Sequence, residues 1–199
     1  MLATARIPIF PLHTVLFPGG PLPLRIFEAR YTDMISQCLK SNIGFGVCLI
    51  TEGKEVGGIA STHEVGTLAS IQDWHMRKDG LLGIVVKGEK RFRVIKQNIE
   101  ENKLMFAEVE YFEEDATKNN FIPREYDGLV DMLEERMSQV GSRYASMKNN
   151  YIDASWVGFR LAELLPLRSS QKQYFLQLND PIQRLERLGD VLQHIDIST

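Results

Sequence analysis

The first half of the chain carries short runs in which apolar and polar residues alternate with the period of a β-strand. These runs are bounded by proline and glycine, which favour strand ends and turns. Asp79-Gly80 lies between two of them and predicts a hairpin, because both residues tolerate the positive φ of a tight turn. Gly88 is predicted to break the strand that follows the hairpin. The predicted strands are 6–12, 22–27, 45–50, 65–76, 81–86, 91–94 and 104–112.

One helix is predicted inside this β-rich half, over residues 28–39. Its apolar residues recur every three or four positions, as they do on the buried face of a helix. Several short strands with turn signals and one inserted helix predict a small barrel or pseudo-barrel over residues 1–115. The apolar positions of the helix are Tyr31, Met34, Ile35, Cys38 and Leu39.

Helical spacing replaces strand alternation in the second half, after a polar linker at residues 114–120. A helix of about five turns is predicted from Tyr126 to Tyr144. Three shorter helices follow: one is capped by Asp153 and stopped by Pro166, one covers 170–178, and one begins at Asp180-Pro181. The predicted fold class is α+β, with a β-rich lobe at 1–115 followed by a helical bundle at 116–199.

Composition and charge are those of an ordinary globular domain. Hydrophobic residues make up 44% of the 199 residues and the net charge is −3, so no global field favours nucleic acid. Neither a secretory signal nor an apolar run of about 20 residues is seen, and we expect a cytoplasmic location. Cys38 and Cys48 have no metal or redox spacing, and we expect two buried, reduced thiols.

Three ordered motifs open the chain: Ile-Pro-Ile-Phe-Pro-Leu at 7–12, Leu-Phe-Pro-Gly-Gly at 16–20, and Leu-Pro-Leu-Arg-Ile-Phe-Glu-Ala-Arg-Tyr at 22–31. Together they resemble the start of the substrate-binding N-terminal domain of the Lon protease family. The Asp79-Gly80 hairpin fits the same pattern. The resemblance extends over nearly the whole chain, because the strand at 88–94 and the Leu-Ala-x-x-Leu-Pro-Leu segment at 161–167 also match.

The resemblance implies a PUA-like pseudo-barrel followed by a helical bundle, with a distant relative in the ubiquitin-ligase receptor cereblon. It also implies binding of unfolded or tagged protein segments, with a protease or chaperone acting in trans as a candidate partner. The phosphate loop of the Lon ATPase is missing from the sequence, and a Ser-Lys peptidase domain has no room. We therefore expect a non-catalytic protein- or peptide-binding module without a cofactor, which delivers or senses unfolded proteins.

The candidate peptide-binding residues lie in a predicted turn at 17–21, called the first turn below, and around the start of the predicted helix. In the turn, an exposed Phe17 would anchor a partner, whereas a buried one would belong to a lid over the barrel. At the helix start, Glu28, Arg30 and Tyr31 also fit a structural role, in which the helix dipole, an ion pair and packing hold them. The full candidate set is Phe17, Pro18, Arg25, Glu28, Arg30 and Tyr31.

Two other function classes remain open at this point. Basic residues in the segment 87–96 suggest RNA binding by a PUA-like module, although the same alternation fits the solvated face of a half-buried strand. A small-molecule hydrolase would need a cleft with convergent polar groups, which the sequence does not indicate. The four histidines lack the spacing of a metal site, and none is predicted. The candidate RNA-binding residues are Lys87, Lys90, Arg91 and Arg93.

Overall fold

The computed structural model describes residues 4–55, 57–58, 60–113, 121–144 and 147–194. The chain divides into two compact units, and the division falls between Glu114 and Asp115. The predicted linker at 114–120 and the predicted lobe boundary at 115 lie outside the described residues.

The first unit contains a mixed sheet whose strands follow a closed path. Strand β1 pairs with β7 antiparallel and with β3 parallel, and the chain of pairings from β7 through β6 and β5 returns to β3. Strand β2 is added against β6, and β4 against β3. The elements are β1 Thr4–Leu12, β2 Pro21–Ile26, α1 Ala29–Ser41, β3 Phe45–Glu52, β4 Ser61–Thr62, β5 Val65–Met76, β6 Leu82–Ile99 and β7 Met105–Tyr111.

Two apolar clusters lie on opposite faces of this closed sheet. On one face, α1 contributes Tyr31, whose ring stacks on Phe10 with centroids 4.1 Å apart. On the other face, the fully buried Phe92 ring occupies the space left by two glycines. A Cβ added at Gly46 or Gly66 would come within 2.6 or 2.7 Å of that ring. Glycine is therefore required at both positions for the Phe92 ring to fit.

Both cysteines belong to these clusters, Cys38 on α1 and Cys48 on β3. Neither forms a disulfide. Burial raises the pKa of the Cys38 thiol to about 11 and that of Cys48 to about 12. The prediction of two buried, reduced thiols is confirmed, and both are held in the unreactive protonated form.

Gly88 does not break its strand, and this prediction is wrong. Strand β6 runs without interruption from Leu82 to Ile99. The Gly88 carbonyl accepts a hydrogen bond from the Gly19 amide at 2.7 Å, and the Gly88 amide donates to the Gly20 carbonyl at 2.9 Å. A Cβ at Gly88 would lie 2.1 Å from the Phe17 carbonyl oxygen. This glycine therefore admits a turn that docks on the strand, instead of ending the strand.

The second unit contains four α-helices in its described part, and two predicted caps are confirmed. Asp153 Oδ1 accepts from the Trp156 amide at 2.7 Å, and Asp180 Oδ1 accepts from the Gln183 amide at 3.0 Å. Each of the other three helices contacts α3. Among the described residues, no helix has both the length and the apolar character needed to cross a membrane. The helices are α2 Asp127–Gln139, α3 Ala154–Leu164, α4 Ser169–Gln177 and α5 Pro181–His194.

The helix predicted from Tyr126 to Tyr144 is shorter than expected. It ends at Gln139, and Gly141 follows with a φ of +66°. A short 3₁₀ turn at Gly141–Tyr144 takes the place of the last predicted turn. Glycine reverses the backbone here because it adopts positive φ without the steric cost that a side chain brings.

The contact at Gly88 gives a direct test of how the first turn is held. Gly88→Ala is expected to lower the free energy of unfolding of the β-rich unit by about 2 kcal/mol or more, because the new methyl group overlaps a backbone oxygen. Gly58→Ala is the matched control, since no atom lies within 4 Å of its added Cβ. Hydrogen exchange of core amides in the unit measures both variants. Equal stability of the two variants would show that the turn does not depend on Gly88.

Candidate peptide-binding site

A continuous apolar surface runs across the strands β5, β6 and β2. Residues that are directly opposite each other in paired strands project from the same face of a sheet. The two registers place one residue of β5, one of β6 and one of β2 in each of three rows. We call this surface the arm face. Its rows are Ile71–Val86–Leu22, Trp74–Ile84–Leu24 and Met76–Leu82–Ile26.

A β-bulge produces this arrangement. In a regular strand, Ile71 and Trp74 are three positions apart and project from opposite faces. The register between β5 and β6 shifts between Ile71 and Asp73, so that Ile71 faces Val86 and Trp74 faces Ile84. The extra residue brings Trp74 onto the face of Ile71. All three rows therefore present their side chains to one side.

The arm face is covered over its β6 and β2 residues and open along β5. Ile26, Ile84 and Val86 are buried in the cluster that includes Met34 and Ile35 of α1. Leu22, Leu24, Ile71 and Leu82 lie at the margin of that cluster and are partly buried. Beyond them, Trp74 is 58% exposed and Met76 is 64% exposed. The core of the unit thus continues outward to two apolar side chains that the described residues leave largely exposed, which is typical of a partner-binding surface.

The hairpin that carries the arm face closes through the predicted Asp79-Gly80 pair. The Arg77 amide donates to the Leu81 carbonyl at 2.9 Å, and Gly80 has a φ of +77°. Asp79 Oδ1 accepts from the Leu81 amide at 3.1 Å, and this bond is the largest cause of a lowered Asp79 pKa. The hairpin prediction is confirmed, but Gly80 alone supplies the positive φ.

Two arginine side chains lie close to that carboxylate, Arg77 of the hairpin and Arg25 of β2. Arg25 NH2 lies 3.4 Å from Asp79 Oδ2, and Arg77 Nε lies 3.3 Å from the same oxygen. Lys78, between Arg77 and Asp79 in the sequence, is exposed. The apolar rows therefore end at a polar, charged tip.

Phe17 does not present an exposed aromatic ring, which agrees with the buried alternative that the sequence left open. Its side chain is fully buried, and Pro18 is half-buried. The turn is held against the sheet by Thr67, whose Oγ1 donates to the Leu16 carbonyl at 2.6 Å. Together with the two hydrogen bonds to Gly88, this contact directs Phe17 inward. The ring belongs to the packing of the unit.

Arg30 forms a buried clamp between three segments of the first unit. Its side chain is 8% exposed, and its NH2 lies 3.0 Å from Glu28 Oε2. Its NH1 donates to the Lys103 carbonyl at 2.8 Å and to the Gly58 carbonyl at 3.2 Å. The guanidinium carbon lies 4.6 Å from the centroid of the Tyr31 ring. These contacts stabilise the fold, and none of them involves the arm face.

The basic segment of β6 does not form one accessible row of cations. Arg91 is buried, and its guanidinium lies 4.7 Å from the centroid of the Phe112 ring. Lys87 Nζ lies 3.8 Å from Glu89 Oε1, while Lys90 and Arg93 are exposed. The burial of Arg91 against an aromatic ring agrees with the half-buried strand that the sequence left open as the other interpretation of this segment.

Trp74 and Met76 are not among the candidate residues predicted from the sequence. Their spacing of two residues, flanking the polar His75, was a visible sign of a shared face. The same even spacing recurs in Leu22 and Leu24. The bulge that adds Ile71 to this face has no sequence signature.

A family model of the ATP-dependent protease La (LON) substrate-binding domain matches residues 6–194 of this chain. The chain belongs to this family. The crystal structure of a Lon N-terminal domain protein from Xanthomonas campestris is 36% identical and superposes with a TM-score of 0.79, covering 94% of this chain and 98% of that one. The N-terminal domain of a Mycobacterium avium complex Lon protease is 20% identical, with a TM-score of 0.65 over 96% of this chain and 100% of that one. At that identity it shows the shared fold alone.

Curated relatives of this Lon substrate-binding domain are much longer proteins. Lon protease 1 of Bdellovibrio bacteriovorus is 26% identical over 201 residues, which cover 95% of this chain and 24% of the relative. The Lon protease of Parabacteroides distasonis is 28% identical over 197 residues, which cover 94% and 23%. The chain thus spans about a quarter of the length of these relatives. The resemblance drawn from the sequence is confirmed, as is a mixed α/β fold with a β-rich sheet.

The clamp predicts a clear difference between two arginines of the candidate set. Arg30→Ala is expected to lower the free energy of unfolding of the β-rich unit by about 3 kcal/mol, because it leaves Glu28 and two carbonyl groups without their partner. Arg25→Ala removes an exposed ion pair and is expected to cost less than about 0.5 kcal/mol. Hydrogen exchange of core amides measures both. A loss for Arg30→Ala as small as that for Arg25→Ala would refute the clamp.

Proposed function

We propose that this Lon substrate-binding domain holds extended apolar segments of unfolded or tagged proteins on the arm face. The observation that carries the proposal is the exposure of Trp74 and Met76, which are the β5 residues of two of the three apolar rows. Aromatic and methionine side chains are enriched where proteins bind partners, and tryptophan in particular acts as an anchor. A client side chain that packs between these two residues removes their apolar surface from water.

The size of the surface supports weak, tolerant binding. Burial of a large apolar side chain contributes about 1.5–3 kcal/mol, and two such anchors offset only part of the roughly 4–15 kcal/mol that association costs. The partly buried margin of Leu22, Leu24 and Leu82 adds contact area. We therefore expect dissociation constants from tens of micromolar upward, which suits a domain that accepts many sequences.

Binding through side chains is favoured over addition of a client strand to a sheet edge. Pro21 and Pro23 remove two backbone donors from β2, which pairs only with β6 among the described strands. On β5, the Trp74 amide already donates to Asp73 Oδ1 at 2.8 Å. With these backbone donors absent or occupied, recognition depends on apolar packing, which discriminates little between sequences.

We propose that the chain binds without catalysing a reaction, and that it presents its clients to a protease or chaperone acting in trans. The names of the relatives support the link to proteolysis. We propose a cytoplasmic location. The buried, unpaired thiols of Cys38 and Cys48 are compatible with that reducing compartment.

The arrangement of strands and helices supports a finer description of the fold of each unit, which is part of the same proposal. We infer that the unit over residues 1–115 is a PUA-like pseudo-barrel, because its strands β1, β7, β6, β5 and β3 follow a closed path. We infer that residues 116–199 form a helical bundle, because α3 contacts α2, α4 and α5.

The double variant Trp74→Ser with Met76→Ser tests the site. It is expected to weaken binding of an apolar, unstructured peptide at least tenfold, because it removes both anchors. The free energy of unfolding is expected to change by less than about 1 kcal/mol, since both side chains are largely exposed. Amide chemical-shift titration at low ionic strength measures the affinity.

Ile95→Ser is the matched control for that variant. Ile95 is 58% exposed, as Trp74 is, but lies in the part of β6 that pairs with β7. The control is expected to bind the peptide like the parent chain. Equal affinity of the double variant and the parent would remove the arm face from the proposal, and equal losses in both variants would indicate nonspecific adhesion.

A further inference from the structure

We propose that a pocket beside the Arg30 clamp binds a carboxylate group that carries a short apolar tail. The walls of this pocket come from β1, the start of α1, the loop between β3 and β4, and the turn between β6 and β7. None of its described lining residues belongs to the arm face. The inference therefore goes beyond the proposed function and does not depend on it.

One polar atom of the pocket wall is buried without an acceptor. Arg30 lines the pocket, and its side chain is only 8% exposed. Its NH1 and NH2 groups are engaged by two backbone carbonyls and by Glu28. Its Nε, in contrast, is buried and has no hydrogen-bond partner among the described residues. Because a buried donor without an acceptor is costly, we expect a ligand oxygen to accept from this group.

The charged side chains that line the pocket are all cations. Lys54 and Lys103 line it together with Arg30, and both lysines are exposed. The described lining residues include no aspartate or glutamate. The flexible stem of a lysine lets its ammonium group move toward a bound anion. The lining therefore favours a negatively charged ligand, although the chain as a whole carries a net charge of −3.

Two carboxylates act near the pocket, and both are already engaged. Burial is the main cause of the raised pKa of Tyr31, which lines the pocket, and Arg30 lowers that pKa. Glu28 and Glu55 raise it further, so both carboxylates act near the Tyr31 ring. Glu28 pairs with Arg30, and Glu55 accepts a hydrogen bond from the His13 amide. Two carboxylates against three cations leave a local charge of about +1, which a monoanion balances.

The size of the pocket and its apolar walls narrow the ligand class to a carboxylate with an apolar tail. The enclosed part is the size of a water molecule, and the whole pocket, with the part that opens to solvent, measures about 270 Å³. One carboxylate oxygen fits the enclosed part. Pro11 and Met105 are buried in the wall, while Ile99 is 45% exposed and offers an apolar contact to a tail of a few carbon atoms. A phosphate has no apolar part to place against these walls.

Two kinds of molecule carry this chemical group. One is a free carboxylic acid with a short branched chain. The other is the end of a peptide whose last residue is apolar, such as leucine. Both present a carboxylate next to an apolar tail, and the experiment distinguishes them.

The test follows the Arg30 Nε–H signal of the whole chain by NMR while ligand is added at constant ionic strength. The probes are 4-methylpentanoate and a short peptide that ends in leucine, each compared with its uncharged amide. We expect one or both carboxylates to move the Arg30 signal with a dissociation constant in the millimolar range, and both amides to leave it in place. Binding of the peptide alone would assign the site to chain ends, and binding of the free acid alone would assign it to small carboxylic acids.

Two lysine variants remove charge from the pocket without disturbing the clamp. Lys103 has a φ of +64°, so Lys103→Gly removes the ammonium group and keeps the carbonyl that accepts from Arg30. Lys103→Gly and Lys54→Gln are each expected to weaken carboxylate binding about threefold. Lys78→Gln is the matched control, because Lys78 is exposed and does not line the pocket. Circular dichroism confirms that each variant is folded.

An Arg30 signal that neither carboxylate moves would overturn the proposal, as would equal shifts caused by the amides. Tighter binding of inorganic phosphate than of either carboxylate, or unchanged affinity in both pocket variants, would also overturn it. The double variant Trp74→Ser with Met76→Ser separates the two proposals, because the pocket and the arm face share no described residue. It is expected to bind the free acid like the parent chain, and loss of that binding would contradict an independent site.

Discussion

The pairing of β6 with both β5 and β2 is the constraint on which the rest of the first unit depends. This one strand, Leu82–Ile99, contributes Phe92 to one of the two buried apolar clusters. It also contributes the middle residue of each row on the arm face. It also receives the first turn at Gly88 through two backbone hydrogen bonds. Because strand register fixes which side chains share a face, a shift in this pairing would disperse the apolar rows.

The groups that stabilise the unit are separate from the surface proposed to bind clients. The Arg30 clamp and the packing around the Phe92 ring involve buried groups with specific partners. Trp74 and Met76, in contrast, lie beyond the cover that α1 provides and contribute little to the folded state. An exposed apolar surface favours aggregation. The packed frame beneath it keeps the unit folded while that surface faces water.

Local chemistry made much of the fold predictable from sequence. The caps at Asp153 and Asp180, the Asp79-Gly80 hairpin and the β5 strand follow from short-range rules about side-chain acceptors, turns and periodicity. The candidate site was less accessible to those rules. Gly88 was misjudged, and the burial of Phe17 was left open, because both depend on a contact between distant segments that forms only in the folded unit. The bulge that aligns Ile71 with Trp74 also arises from the pairing of β5 with β6, and no residue in the sequence predicts it.

The most direct test of the arm face is the fluorescence of Trp74 during binding. The chain has two tryptophans, so Trp156→Phe, in the second unit, leaves Trp74 as the single reporter. Trp74 is 58% exposed in the free chain. Addition of an unstructured apolar polypeptide is predicted to shift its emission to shorter wavelength as the ring leaves water. Binding that is detected independently by anisotropy, with no change in the Trp74 emission, would contradict the account.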